Sequence, residues 1–414
     1  MTKIRGNIIV GQSGGPTAAI NSSLAGVYLA ARESGQIGTV YGMVNGMEGF
    51  LSERLVDLDR YLGTQEEIAL LRRTPAAYLG SCRFKLPDWR ENEELYREAF
   101  DLFEKYHIRC FFYIGGNDSM DTVMKLSAYA KQRGKDVCFI GVPKTIDNDL
   151  LETDHTPGYG SAAKYIAATV REVTQDSQAY FLNSVTVIEI MGRNAGWLTA
   201  AAALARQKEG DSPDLIYLPE CTFSFEQYAE DLKRVFAKKK NIVVAVSEGV
   251  RTADGKYVCE AVSNGREDVF GHKYLGGTAN VLAQYAAEKM SCKTRAIELS
   301  IPQRCAGHLL SAADADEALE NGRSAVKFAL EGATGVMIAY ERICDAPYQI
   351  RFVPKDISGI ANGEKTVPKE WISEGKNDVT EDFIRYAKPL IQGELQQLFE
   401  DGLPKHLPLP VERF

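Results

Sequence analysis

The chain has no CxxC pair, although it carries eight cysteines, at positions 82, 110, 138, 221, 259, 292, 305 and 344. That spacing excludes a zinc ribbon and a disulfide-stapled scaffold, and Cys110 and Cys138 sit inside apolar, strand-like runs. Reduced, mostly buried thiols in a reducing compartment are expected. The five histidines (107, 155, 272, 308, 406) show neither HxH nor HxxxH spacing, so no zinc site is predicted. There is no G-x-S-x-G elbow to argue for a serine hydrolase. Positive charge is not in excess: 48 Lys and Arg against 56 Asp and Glu leave a formal charge of −8. Generic affinity for nucleic acid or acidic membranes does not follow from that balance. An anionic ligand must instead be held by a few placed cations and backbone N–H groups. No stretch approaches the roughly 18 uninterrupted apolar residues of a membrane helix. The opening MTKIRGNIIVGQSGGP has only a short apolar run before its glycines, unlike a signal peptide. A cytoplasmic protein is expected.

What is present is ordinary globular material, 45% apolar and 25% charged over 414 residues. That length carries two or three domains at roughly 150 residues each. Neither internal repeats nor low-complexity tracts occur. Short apolar runs alternate with glycine-rich or polar turns and helical stretches. Strands are predicted at Asn7–Val10, Arg109–Ile114, Asp136–Val142, Ser184–Ile190, Leu215–Leu218 and Asn241–Val246, with helices over Thr17–Glu33 and about Ser119–Gln132. The alternation implies an α/β fold with parallel sheets and helices on both faces. In such sheets ligands bind beyond the carboxyl ends of the strands. The polar clusters all follow their strands, which places them along one edge. His155-Thr156-Pro157-Gly158 suggests a domain break near Asp154–Gly160. The polar stretch Lys355–Asp382 and the three-proline tail Leu403–Phe414 suggest an appendage packed on the core, not a third catalytic domain.

Four clusters can carry chemistry. Gly11-Gln12-Ser13-Gly14-Gly15-Pro16 joins a strand to a helix. It suits an anion cradle built from backbone N–H groups and a helix dipole, and equally a tight turn. It is neither GxGxxG nor a Walker loop. Gly115-Gly116-Asn117-Asp118-Ser119 lets a ligand approach the backbone and offers oxygens to a hard cation such as Mg²⁺. Asp and Ser are also good helix caps. Pro143-Lys144-Thr145-Ile146-Asp147-Asn148-Asp149 is the densest cluster. If extended, it turns Asp147 and Asp149 to one side, where one carboxylate accepts a proton and the other sits near a metal. Lys144 is suited to neutralise phosphate. A polar surface turn is the bland alternative. Met191-Gly192-Arg193-Asn194-Ala195-Gly196 sets an arginine between strand and helix, for bidentate phosphate contact or for a surface ion pair.

In order and spacing, SGG, GSCRF, GGNDS, PKTIDND, IMGRNAGW, LPE, VSEG and TRAIELSIPQR resemble the phosphofructokinase family over roughly residues 5 to 345. The resemblance implies two Rossmann-like three-layer domains. A phosphoryl-donor domain would span 1–158 with part of 304–345, a sugar-phosphate domain 159–303, and a C-terminal extension 355–414. ATP-using members typically have glycine where this chain has Asp118 and Lys144. Pyrophosphate-using members carry aspartate and lysine there. A carboxylate at Asp118 would repel a nucleotide's α-phosphate, and Lys144 brings positive charge to a compact inorganic donor. The chain thus looks like the pyrophosphate-dependent type, a Mg²⁺-dependent phosphotransferase acting on fructose 6-phosphate.

Carried over by position, Asp147 would take the proton from the sugar's 1-hydroxyl, and Asp149 would support it and the metal. Lys144 and Thr145 would touch the transferring group, with Arg83 and Arg193 stabilising its charge. Gly11, Gly14, Gly15, Gly116, Asp118 and Lys144 would bind the donor. Thr145, Met191, Gly192, Arg193 and Glu248 would hold the sugar. Arg295 and Arg304 would grip the 6-phosphate, Arg295 from a neighbouring subunit of a homodimer or homotetramer. Asn117, Asp118 and Asp149 would hold the metal. There are departures. Asn117 replaces the family's usual aspartate, and Ser184 and Ile301 stand where ATP-using members have arginine and histidine. The 6-phosphate pocket is then less cationic, or is completed by Lys273 or Tyr274. An ATP-dependent phosphofructokinase and a non-catalytic regulatory subunit of the same fold are the rival readings. Sedoheptulose 7-phosphate is a possible second acceptor.

Overall fold

The computed structural model describes residues 6–261, 276–361 and 363–413; Lys273 and Tyr274 fall outside them. The first run is β1 (Gly6–Gln12), α1 (Ile20–Glu33), β2 (Ile37–Met43), α2 (Gly46–Leu51), β3 (Leu55–Asp57), α3 (Gln65–Leu71), α4 (Glu93–Lys105), β4 (Ile108–Gly115), α5 (Asn117–Arg133) and β5 (Cys138–Pro143). The second is α6 (Tyr159–Gln178), β6 (Ser184–Ile190), α7 (Trp197–Ala200), β7 (Leu215–Tyr217), α8 (Phe225–Phe236), β8 (Asn241–Ser247), α9 (Thr278–Met290) and β9 (Lys293–Glu298). The chain closes with α10 (Pro302–Cys305), α11 (Ala312–Leu330), β10 (Val336–Asp345), β11 (Tyr348–Asp356), α12 (Glu381–Ala387) and the small hairpin β12 (Phe399–Glu400) and β13 (Leu403–Pro404).

Seven strands form one sheet in the order β11-β10-β5-β4-β1-β2-β3, and four form another in the order β7-β8-β6-β9. The second sheet is parallel throughout. The first is parallel from β10 to β2, and antiparallel strands β3 and β11 finish its two edges. Central strands such as Ile8-Ile9-Val10 and Phe111–Ile114 are buried on both faces, which explains their continuous apolar runs. In the first sheet the chain leaves β1 toward β2 on one side and returns to β4 on the other. The loops after β1 and β4 therefore flank a crevice at the carboxyl edge, and those after β6 and β8 do the same in the second sheet.

The helix predicted from Thr17 begins at Ile20. The preceding residues stay in a loop whose carbonyls are already engaged: Lys144 Nζ donates to Gly15 O at 2.6 Å and Ser81 Oγ to Gly14 O at 2.5 Å. The C-terminal segment is more deeply woven in than an appendage. Ile360 joins one core of the first sheet and Leu407 the other, while Val367, Phe383, Tyr386 and Leu390 join the core beneath the second sheet.

Two features tie late residues to early ones. Helices α1 and α11 touch backbone to backbone. A Cβ on Gly26 would lie 2.0 Å from Leu319 O, and one on Gly322 would lie 2.2 Å from Ser23 O. Between β5 and α6, His155 is buried, with Nδ1 2.8 Å from Asp154 Oδ2 and Nε2 2.7 Å from Glu317 Oε2. Arg342 Nη2 adds a bond to Asp154 Oδ2 at 2.9 Å, and Tyr348 Oη donates to Glu317 Oε1 at 2.8 Å. Burial alone would push the imidazole down. The Glu317 charge and the bonds to Asp154 and Glu317 outweigh it and hold His155 up at about 9.

Gly322→Ala forces the two helices apart and is expected to lower stability by about 1–3 kcal/mol in urea unfolding. The raised His155 value means that the folded state binds this proton more tightly than the unfolded chain. The stability advantage of the native chain over His155→Gln is then complete below pH 6.5 and declines as pH rises toward about 9. At about 1.4 kcal/mol per unit the full difference is about 3 kcal/mol. A difference in unfolding free energy that stays flat across this range removes the imidazolium from the account.

Candidate active site

A cavity of about 750 Å³ opens where the carboxyl edges of the two sheets meet. Its walls are the loops after β1, β4, β5, β6 and β8, the segment around Arg83, Arg304 on α10, and Glu364 from the C-terminal segment. Gly14, Gly15, Arg83, Gly116, Asn117, Asp118, Lys144, Thr145, Asp147, Asp149, Met191, Arg193, Glu248 and Arg304 all line it, as the sequence motifs require of one site.

The loop after β1 is held open by neighbours rather than by itself. Gln12 donates through Nε2 to Asn21 Oδ1 at 2.8 Å and accepts from Leu79 N at 2.9 Å. Asn21 in turn donates to the carbonyls of Thr74 and Ala76 and accepts from Tyr78 N. This buried amide pair fixes the segment leading to Arg83 beside the loop, and Gly14 N donates to Cys82 O at 3.1 Å. Gly14 has φ +74, which L side chains rarely adopt, and a Cβ there would stand 3.4 Å from Lys144 Nζ. Helix α5 starts at Asn117 with Gly116 as its N-cap residue, so the positive end of its dipole faces the cavity. Asp118 lies in its first turn.

Lys144 is 2% exposed. Burial lowers its ammonium to about 8, against the opposing pull of Asp147 and Asp149. The carboxylates respond in the opposite sense. Burial raises Asp147, with Lys144 and the Thr145 hydroxyl working against it. Burial, then the neighbouring Asp147 charge, raises Asp149 to about 7. Glu248 is raised to about 7 by burial as well, and accepts from Gly192 N at 3.3 Å. The expected extended run through Asp147 and Asp149 is not what the chain does. Asn148 takes φ +55, donating to Tyr386 Oη at 2.7 Å and accepting from Thr156 N at 3.1 Å. The turn still directs both aspartates into the cavity, because Asn148 is pulled beneath the loop.

Three expected residues stand off the cavity wall. Gly11 is packed inside the sheet, where a Cβ would meet Met43 Cε at 2.5 Å. Gly192 contributes through its N–H to Glu248 rather than by lining the space. Arg295 lies near the start of edge strand β9, 2.8 Å from Asp176 Oδ2, and reaches no part of this cavity within one chain. Arg304 stands beside the loop after β1: its Nη1 lies 3.6 Å from where a Cβ on Gly15 would be. Sequence reading missed Tyr257, Asn194 as a wall residue, and Glu364. The last two are joined, Asn194 Nδ2 to Glu364 Oε1 at 2.9 Å. Nothing local marks Glu364, which comes from a polar stretch 170 residues further along the chain.

The donor set suits a hard divalent cation. Asn117 Nδ2 donates to Asp149 Oδ2 at 3.4 Å, which leaves Asn117 Oδ1 buried with no hydrogen-bond partner. An unpartnered amide oxygen next to the Asp149 carboxylate, with Asp118 on the same wall, suits Mg²⁺. Among the described residues no three His, Cys, Asp or Glu side chains form a metal cage. Such an ion would be completed by water and substrate oxygens. The wall carries four cations (Arg83, Lys144, Arg193, Arg304) and five carboxylates (Asp118, Asp147, Asp149, Glu248, Glu364), so an anionic substrate needs added positive charge. A polar cavity with cations, a helix N-terminus and buried carboxylates of raised pKa suits transfer of a phosphoryl group to a hydroxyl.

Comparison with known proteins agrees with that chemistry. The phosphofructokinase family model matches residues 7–298. A pyrophosphate–fructose 6-phosphate 1-phosphotransferase of Halomonas elongata is 42% identical over 410 residues, covering 98% of this chain and 97% of that one. One of the same name from Methylococcus capsulatus is 40% identical, covering 97% and 96%. The crystal structure of a pyrophosphate-dependent phosphofructokinase from Nitrosospira multiformis superposes with a TM-score of 0.88 at 38% identity, covering 97% and 96%. The likeness covers nearly the whole length of the chain, and on it this chain belongs to the phosphofructokinase family.

Proposed function

We propose that the chain transfers a phosphoryl group reversibly from pyrophosphate to the 1-hydroxyl of fructose 6-phosphate, giving fructose 1,6-bisphosphate and phosphate. The observation that carries the choice of donor is the pair Lys144 and Asp118. Lys144 is buried against the Gly14-Gly15 loop, and Asp118 stands on the same cavity at the start of α5. A short, highly charged inorganic donor gains from the ammonium. A nucleotide would have to bring its inner phosphate past a carboxylate.

Each residue then has a task. The sugar's 1-hydroxyl oxygen attacks the nearer phosphorus, the bond to the leaving phosphate breaks, and the hydroxyl proton passes to Asp147. Burial makes that carboxylate a stronger acceptor than a solvated aspartate. Thr145 holds the aspartate by donating to Asp147 Oδ2 at 3.4 Å, and its Oγ1 accepts from Asp147 N at 3.1 Å. Arg83, Arg193 and Lys144 offset the charge on the transferring oxygens, and Gly14, Gly15 and Gly116 present the backbone to the donor. Met191, Gly192 and Glu248 hold the sugar, with Arg304 at its phosphate where the sugar and donor sides meet. Asn117, Asp118 and Asp149 would hold Mg²⁺, which when bound supplies charge neutralisation to the donor. Arg295 is reserved for the site of a neighbouring subunit, in a cytoplasmic homodimer or homotetramer. Among the described residues no helix is long and apolar enough to cross a membrane.

At saturating fructose 6-phosphate and Mg²⁺, turnover with pyrophosphate should exceed turnover with ATP; the reverse order sinks the donor assignment. Asp147→Asn should lower kcat by roughly 10²–10⁴-fold while fructose 6-phosphate binding, measured by calorimetry, changes little. A folded protein that binds the sugar phosphate but turns over no donor, even unaltered, would instead make it a regulatory subunit.

A further inference from the structure

The loop that carries Asp147 and Asp149 leaves its strand at Pro143 and does not re-enter regular structure until α6. Its carbonyls must find partners outside a ladder, and for Asp149, Thr153 and Asp154 the C-terminal segment supplies them. Lys365 N donates to Asp149 O at 2.7 Å, and Lys365 Nζ donates to Thr153 O at 2.9 Å and to Asp154 O at 2.7 Å. Lys365 and its neighbour Glu364 also reach the opposite wall. Glu364 accepts from Asn194, the neighbour of Arg193, and Lys365 O accepts from Trp197 Nε1 at 2.9 Å. The Lys365 ammonium lies over the Trp197 ring, with Nζ 5.2 Å from its centroid. A dipeptide from the C-terminal segment thus binds the proton-acceptor loop of one sheet and the arginine loop of the other.

We propose that Lys365 is a positioning residue for phosphoryl transfer: with Glu364 it straps the Asp147–Asp154 loop to the Arg193–Trp197 loop and so sets the distance between the proton acceptor and the cation across the transferring group. The inference rests on the roles given above to Asp147 and Arg193. Neither Lys365 nor Asn194 need touch the reacting atoms. Their effect comes through geometry, where a displacement of about 1 Å can cost up to roughly a hundredfold in rate.

Two cuts test the strap at its two ends. Lys365→Met keeps an unbranched apolar side chain and removes the bonds from Nζ, while Asn194→Ala releases Glu364 on the other wall. Assays use whichever donor, pyrophosphate or ATP, the unaltered chain turns over, so failure of the donor assignment leaves this test intact. Each single variant should lose roughly tenfold or more in kcat, with KM for donor and sugar phosphate within about threefold. Lys365→Arg should recover part of the loss. The double variant should fall by less than the product of the single losses, because one strap cannot be cut twice. If Lys365→Met does not fold, Asn194→Ala against Asn194→Asp, which keeps the size but replaces the donor by a charge, carries the same comparison. Unchanged kcat in the folded variants, losses that multiply, or a rise in KM at constant kcat would each overturn the proposal.

Discussion

Three ionisable side chains of one short loop are partly withdrawn from water, Lys144 buried and Asp147 and Asp149 half-buried on the cavity wall, and the surrounding architecture answers that cost. A buried charge is tolerated only when paired and hydrogen-bonded. The ammonium rests on Gly15 O, the Thr145 hydroxyl meets Asp147, and Asn117 meets Asp149. The shifts run in opposite directions, the lysine down and the aspartates up, because the same poor solvation disfavours every charged form. What destabilises the empty site is what makes it receptive. The four cations on the same wall suit a multiply charged anion.

The cluster can be packed so tightly because its supports come from every part of the chain. The Gln12–Asn21 amide pair holds the early loop, and α11 and β10 hold His155 through Glu317 and through Arg342 acting on Asp154. The C-terminal segment braces the acidic loop from below. The cavity is walled by loops, and those after β1 and β5 are pinned at their bases by side chains from distant elements. A loop site therefore gains the precision usually reserved for helices and strands.

The sequence made some of this legible. Central strands such as Ile8-Ile9-Val10 and Phe111–Ile114 announced themselves as apolar runs, because burial on both faces dictates composition; Ser184–Ile190 agrees at both ends although it also buries Thr186 and Glu189. Strand-following polar clusters located the cavity, since a parallel sheet puts all such turns on one edge. The antiparallel edges β3 and β11 were not legible. An edge strand such as Tyr348–Asp356, with its alternating partly exposed residues, reads as polar connection until its partner is known. The left-handed Asn148 was equally hidden: its conformation depends on Tyr386, 238 residues away. Glu364 and Lys365 escaped notice for the same reason, as their importance comes from contact order rather than residue type.

The glycine contact between α1 and α11 has a consequence for the order of events during synthesis. The first helix finds its partner only after nearly three hundred further residues have been made, and β10 must then slip in beside β5. A ribosome-bound chain ending before Ala312 exposes the bare groove of α1 and an unfilled sheet edge, surfaces that invite mispairing. Maturation of this half therefore waits on emergence of its own distant end, and the interval is when the nascent polypeptide most needs protection by chaperones.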